Sequence, residues 1–139
     1  DSALKLDVLA PDEEFVNREN TNDGSIVIKL TYGQTSFLFT GDAEDIENQA
    51  MLGHGFDVQA TVLKLGHHGS RSSTDEAWLR AVKPQLGIIS AGLDNSYGHP
   101  HPEVIAALNS LGIQYIRTDE HGTITVRTDG TQLHITSQK

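Results

Sequence analysis

The sequence contains no cysteine, which excludes disulfides and thiolate metal sites and leaves the cellular compartment open. Aromatic residues are scarce at 6%, so the core has to be aliphatic, built from Ile, Leu, Val and Ala. No run approaches the ~18 consecutive apolar residues of a membrane-spanning helix, and no segment reads as a signal peptide. A domain of this kind that worked at a membrane would be anchored by another part of a longer protein. Basic residues are also few. Ten Lys and Arg against 19 Asp and Glu give a formal net charge of -9, which argues against a protein that grips phosphate backbones through a basic face. The same balance leaves open any chemistry in which bound cations supply the local positive charge. Internal repeats and low-complexity segments are absent as well.

What is present is one domain's worth of chain. At 139 residues it can bury roughly two-thirds of its unfolded surface. Strands are predicted at residues 4–9, 25–32 and 36–39, rich in β-branched and apolar side chains, with a tight hairpin at Gly33-Gln34. The polar segment 12–24 reads as a loop. A helix is expected over 43–52, its first turn carrying Glu44, Asp45 and Glu47, with a thin apolar face of Ala43, Ile46 and Ala50. A buried strand at 60–65 precedes a helix over 74–82, with Ser73 as N-cap, Glu76 completing a capping box and Pro84 as the stop. The short strand 86–90 leads into a loop over 91–101. Pro102 then opens a third helix whose inner stripe is Val104, Ile105, Leu108 and Leu111. Segments 113–117, 123–127 and 132–136 alternate like strands of a closing meander, with turns at 120–122 and Asp129-Gly130.

Unusual residues fall at the ends of three buried strands, where α/β folds place their sites. Thr40-Gly41-Asp42 comes first. Taken alone, Asp42 reads as the N-cap of the helix that follows, since Asp is a favoured cap. The second cluster is Lys64-Leu65-Gly66-His67-His68-Gly69-Ser70, a pair of imidazoles flanked by glycines. Neutral imidazole suits zinc, manganese or iron, yet a lone pair of this kind is equally a satisfied surface turn. The third is Asn95-Ser96-Tyr97-Gly98-His99-Pro100, which by itself is a turn built from turn formers. His54, His121 and His134 have no comparable setting and read as solvated. Taken together, a carboxylate, a histidine pair and a further histidine recur at one topological position. That pattern points to a metal-assisted hydrolase site.

These residues also carry a family resemblance. The stretch LKLGHHGSRSST, followed by LGIIS, AGLDNSYGHPHPEV and IRTDEHGTITV, resembles the C-terminal part of the metallo-β-lactamase-like domain of the ComEC family of competence proteins. Upstream, NRENTNDGSIVIKLTYGQTSFLFTGDAE is similar to the asparagine-rich loop, hairpin and TGD segment of the same domain. The resemblance runs over residues 4–128. HHGS with the later GHP is fairly specific within the superfamily, whereas TGD is common across it.

The resemblance implies an α/β fold, an α+β sandwich. The chain would be the C-terminal half of the metallo-β-lactamase αββα fold, a mixed β-sheet with about three helices. It casts Asp42 as a carboxylate bridging two divalent ions, zinc or manganese. Either His67 or His68 is the late histidine ligand, the other facing the substrate phosphate, and His99 approaches the substrate or leaving group. Lys64 joins the catalytic set by motif position, and Ser70, Asn95 and Tyr97 match substrate-binding positions. The family's first metal motif, His-x-(His or Asp)-x-Asp-His, and the separate histidine expected before TGD are not in these residues. Residues 1–139 are therefore expected to be a partial domain that is inactive alone, with its N-terminal half as a partner. The implied substrate is DNA, cleaved during transformation and approached through the metals. The membrane enters only through other segments of a longer protein, with the domain on the outer face of a bacterial cell membrane. Two alternatives stay open. One is a stand-alone, cytoplasmic hydrolase of the same fold acting on another phosphodiester or a lactone. The other is a non-catalytic interaction module whose histidines are structural.

Overall fold

A computed structural model describes residues 3–16 and 19–139. Residues 17 and 18, part of the expected polar loop and of its asparagine-rich motif, lie outside the described residues. The elements are β1 (Lys5–Ala10), β2 (Val27–Tyr32), β3 (Thr35–Phe39), α1 (Asp45–Gly53), β4 (Val62–Lys64), α2 (Glu76–Val82), β5 (Leu86–Ile89), α3 (Pro102–Ser110), β6 (Gln114–Arg117), α4 (Thr118–His121), β7 (Ile124–Thr128) and β8 (Leu133–Ser137). Strands β1 to β6 form one sheet in chain order. The β1–β2 and β2–β3 pairs are antiparallel, and the β3–β4, β4–β5 and β5–β6 pairs are parallel. Each parallel step contains one helix, as a crossover between parallel neighbours requires. The fold is the expected mixed-sheet α+β type, and the described residues add α4, a single turn, to the three anticipated helices.

Residues paired directly across strands share a face of the sheet. Leu38, Leu63 and Gly87 are in register, and both leucines are wholly buried. Met51 of α1, Trp78, Leu79 and Val82 of α2, and Val104 and Leu108 of α3 close over that face in one core. The opposite face carries Leu30, Phe37, Val62 and Leu86 in one row and Val8, Ile28, Phe39, Lys64 and Ile88 in the next.

The expected three-stranded closing meander is not formed. Strand β6 follows α3 and joins the parallel edge of the sheet, while β7 and β8 make a separate antiparallel hairpin. The one-turn α4 and Gly122, at φ 69°, separate the two. Ile124 and Val126 of the hairpin line a cleft with Phe37, Phe39, Val62 and Ile88. Its turn docks on the β2–β3 turn, where the Gln34 amide donates to the Gly130 carbonyl at 2.6 Å.

Two helix starts also differ from expectation. Helix α2 is capped by Asp75, whose carboxylate accepts from the Trp78 amide at 2.7 Å. Ser73 instead donates its amide to the Ser70 carbonyl in the turn before the helix. Helix α1 begins at Asp45, so Ala43 lies outside it. Its inner face is Glu47, Asn48 and Met51, while Ile46 is 50% exposed. Asn48 reaches the Ser73 carbonyl at 3.0 Å, so a polar contact fixes the helix where apolar periodicity predicted packing.

Candidate metal centre

The site is assembled at the C-terminal ends of β3, β4 and β5. Buried Thr40 donates its hydroxyl to the Lys64 carbonyl at 3.1 Å, tying the end of β3 to the end of β4. The Gly41 carbonyl then accepts from the His67 amide at 3.1 Å. The carboxylate segment and the histidine turn are thereby joined backbone to backbone. Asp42 is half-buried, and its amide donates to the Ser25 hydroxyl at 3.1 Å. Because α1 starts three residues later, Asp42 is not its N-cap.

His67 and His68 both adopt left-handed backbone conformations, at φ 45° and 58°. For residues with a Cβ this is uncommon, and such conformations gather at functional turns. Gly69 follows at φ 84°, and a Cβ there would sit 2.8 Å from Pro100. Only glycine lets this turn close on the 91–101 loop. The result is a cluster of rings. The His67 and His99 centroids lie 5.4 Å apart, those of His67 and His68 6.2 Å, and those of His68 and His99 6.2 Å. Burial, with the neighbouring His101, His67 and His68, lowers the pKa of His99, and Asp42 works weakly in the other direction. His99 is therefore a neutral imidazole at neutral pH.

The two adjacent histidines are held differently. His68 Nδ1 lies 2.7 Å from the Ser90 carbonyl. A carbonyl can only accept, so Nδ1 carries the proton and Nε2 keeps its lone pair. His67 Nδ1 is buried without a hydrogen bond and lies 3.4 Å from Glu44 Oε1.

The remaining expected residues surround this cluster. Lys64 turns its amine back to the Leu65 carbonyl at 2.8 Å, and burial lowers its pKa against the pull of Asp42. The buried Ser70 hydroxyl is engaged with that of Ser72 at 3.0 Å. Asn95 clamps its own loop, donating to the Gly92 and His99 carbonyls and accepting from the His99 amide at 2.9 Å. Tyr97 is 77% exposed and stacks near-parallel on His99 at 5.8 Å. His68, Asn95, Tyr97 and His99 line a small cleft of ≈ 180 Å³.

Two residues at the site, Glu44 and His101, were not anticipated. Glu44 accepts from Asn22, Asn20 and Ser72. Burial pushes its carboxyl up, but these hydrogen bonds prevail and leave its pKa below the usual value. His101 packs edge-on against His99 at 4.7 Å and accepts from the Arg71 amide at 3.1 Å. His101 carried a sequence signal, standing two residues beyond His99 in HPHP. Glu44 carried none beyond its place in an acidic first turn.

The donors suit a divalent ion. One imidazole has its second nitrogen free by hydrogen bonding, a second imidazole stands beside it in the same cluster, and a half-buried carboxylate sits on the adjoining strand end. Among the described residues no three His, Asp or Glu side chains are placed to hold an ion by themselves.

A family model described as the metallo-beta-lactamase superfamily matches residues 5–92. The chain belongs to that superfamily. Its members are generally hydrolytic and typically bind divalent metals. The chain is 39% identical over 124 residues to ComE operon protein 3 of Bacillus subtilis, covering 89% of the chain and 16% of that protein. It is 34% identical over 124 residues to competence protein ComA of Neisseria gonorrhoeae, covering 87% and 17%. Recombination protein 2 of Haemophilus influenzae is 36% identical over 106 residues, covering 76% and 13%. These are ComEC-type competence proteins, and the chain spans about a sixth of the length of the first two. Among the described residues no helix is long and apolar enough to cross a membrane.

Proposed function

We propose that this domain supplies the later half of a two-metal phosphodiester hydrolase site, acting on DNA in a competence protein of the ComEC type. The observation that carries this reading is the 3.1 Å hydrogen bond from the His67 amide to the Gly41 carbonyl, which brings Asp42 to the edge of the three-histidine cluster. Asp42 and one of His67 and His68 would hold the ions. A divalent ion bound there supplies Lewis acidity toward a phosphoryl oxygen and toward water. His99, kept neutral by burial, offers an N–H to the phosphate or the departing oxygen. Asn95 fixes the His99 loop, and Tyr97 presents an exposed ring at the mouth of the cleft. Lys64 adds a half-buried amine close enough to Asp42 to feel its charge. With a net charge of -9, contact with DNA depends on bound cations more than on a basic surface.

The ions' other ligands belong to the first half of the domain. The second face of the sheet supports this at its β1–β3 side, where the apolar Leu6, Val8 and Phe39 stay between 40% and 61% exposed, while Val62 and Leu86 farther along the same face are buried. The deciding experiment is a nuclease assay of the longer competence protein with manganese or zinc, in which Asp42→Ala is expected to remove nearly all activity. Unchanged activity would overturn the assignment. The 139-residue chain alone should bind zinc weakly and cleave nothing. Calorimetry that found two tightly bound ions per chain would contradict the partial-site reading.

A further inference from the structure

We infer that Glu44 is a positioning residue for His67, a carboxylate that decides which ring nitrogen of His67 is left to face the histidine cluster. The inference rests on the hydrolase site proposed above, but it concerns the ring and its tautomer and can fail separately from it.

Glu44 stands at the N-cap of α1 and makes no side-chain hydrogen bond to that helix. Glu is not among the favoured N-caps, and the first amide of the helix, that of Asp45, is satisfied instead by the Ser72 carbonyl at 2.7 Å. The side chain is thus released from capping. It is fixed elsewhere: Oε1 accepts from Asn22 Nδ2 at 3.3 Å and from Ser72 Oγ at 3.2 Å, and Oε2 accepts from Asn20 Nδ2 at 3.1 Å. Three donors from two other loops hold one carboxylate. The same Oε1 lies 3.4 Å from His67 Nδ1, a buried nitrogen with no hydrogen bond of ordinary geometry.

The backbone of His67 cannot relieve this nitrogen. Its amide is tied to Gly41, and the residue sits in the left-handed region, so only rotation of the ring is left. A proton on Nδ1 turns the contact with Glu44 into a charge-assisted one and leaves Nε2 with a free lone pair. A proton on Nε2 would instead set the Nδ1 lone pair against a carboxylate. The adjacent His68 reaches the same tautomer by a different route, backed by the neutral Ser90 carbonyl. The two imidazoles are therefore made alike in which nitrogen is free and unlike in what stands behind it. A carboxylate behind a ring makes its free nitrogen the more basic donor.

The test is to read both tautomers by long-range nitrogen–proton NMR in the metal-free 139-residue chain, above the histidine titration range. His67 should carry its proton on Nδ1. Glu44→Ala should move the tautomer ratio of His67 roughly tenfold toward Nε2, the weight of one charge-assisted hydrogen bond, while His68 stays fixed as the internal control. Glu44→Gln, which keeps an acceptor oxygen without the charge, should move it less. The paired change Asn20→Ala with Asn22→Ala keeps the carboxylate but frees it, and should shift the ratio in the same direction. It preserves the test if Glu44→Ala does not fold. A His67 protonated on Nε2 in the unaltered chain, or unchanged by these substitutions, would overturn the inference. Zinc titrated into the unaltered sample reads the site separately. Zinc that moved no signal of Asp42, His67 or His68 would count against the proposed metal site and leave the tautomer result standing.

Discussion

The same strands give the sheet two faces that end very differently. Toward the helices, Val27, Leu38, Leu63 and Ile89 are wholly buried. On the other side Leu6 and Val8 remain 56% and 61% exposed and Phe39 40%, although the hairpin β7–β8 brings Ile124 and Val126 to Phe37, Phe39 and Ile88. Strands that are apolar on both sides belong to sheets that are covered on both sides. An apolar surface of this kind on a folded domain marks a site of contact. Asp42, the histidine turn and the His99 loop lie at the strand ends where the two faces meet, so a layer over the open face would add a second wall to the site. The closed face should therefore control the stability of the isolated chain, and the open face should matter only when that layer is present.

The largest effect is expected on the closed face. Leu63→Ala removes a wholly buried side chain at the centre of the sheet and should cost about 2–5 kcal/mol in urea unfolding. A loss below ~1 kcal/mol would mean that the helical layer is not the stabilising one.

The closed face also contains a flaw, and it provides the next test. Glu47 is 1% exposed, and neither carboxyl oxygen has a hydrogen bond of ordinary geometry. Burial, reinforced by the Asp23 carboxylate, pushes its pKa from 4.5 up to about 8. The folded state thus holds a proton that the unfolded chain releases. The stability contributed by this group should be fully present below pH ~4.5 and fall as the pH rises to about 8, with a limiting slope of ~1.36 kcal/mol per pH unit for one proton. The loss from this group should reach a few kcal/mol, and Glu47→Gln should flatten the profile. Equal pH dependence in the two proteins, measured by denaturant midpoints, would show that Glu47 is not the group responsible.

Glu47 also shows where the sequence could be read and where it could not. Alternating strands and helices were legible because short apolar runs ending in glycine and histidine are local signals, and β3, β4 and β5 stand where those runs predicted. His67, His68, His99 and Asp42 converge for the same reason, since strand ends of a parallel sheet collect neighbouring loops. Helix α1 was misread on its inner face because apolar periodicity assumes that what is buried is apolar, and here Glu47 and Asn48 are buried. The role of Glu44 was invisible because its partners Asn20, Asn22 and Ser72 lie 24, 22 and 28 residues away. The pairing of β6 with β5 in place of β7 was hidden as well, since alternation marks a strand without naming its neighbour.

The smallest expected effect bears most directly on the contrast between the faces. Val8 is 61% exposed and pairs with Ile28 on the open side of the edge strand β1. Val8→Thr keeps the β-branched shape and the preference for a strand, so it should change the stability of the 139-residue chain by less than ~0.5 kcal/mol. In a ComEC-type protein carrying this domain, as proposed above, a layer packed on this face would bury the same position. The introduced hydroxyl would then have to give up water for an apolar neighbour, at a cost of about 1–3 kcal/mol. The measurement is the difference between the two contexts, taken from denaturant midpoints of each. A cost that stays near zero in both would mean that nothing covers Val8 in the longer protein, and the second wall of the site would have to be sought elsewhere.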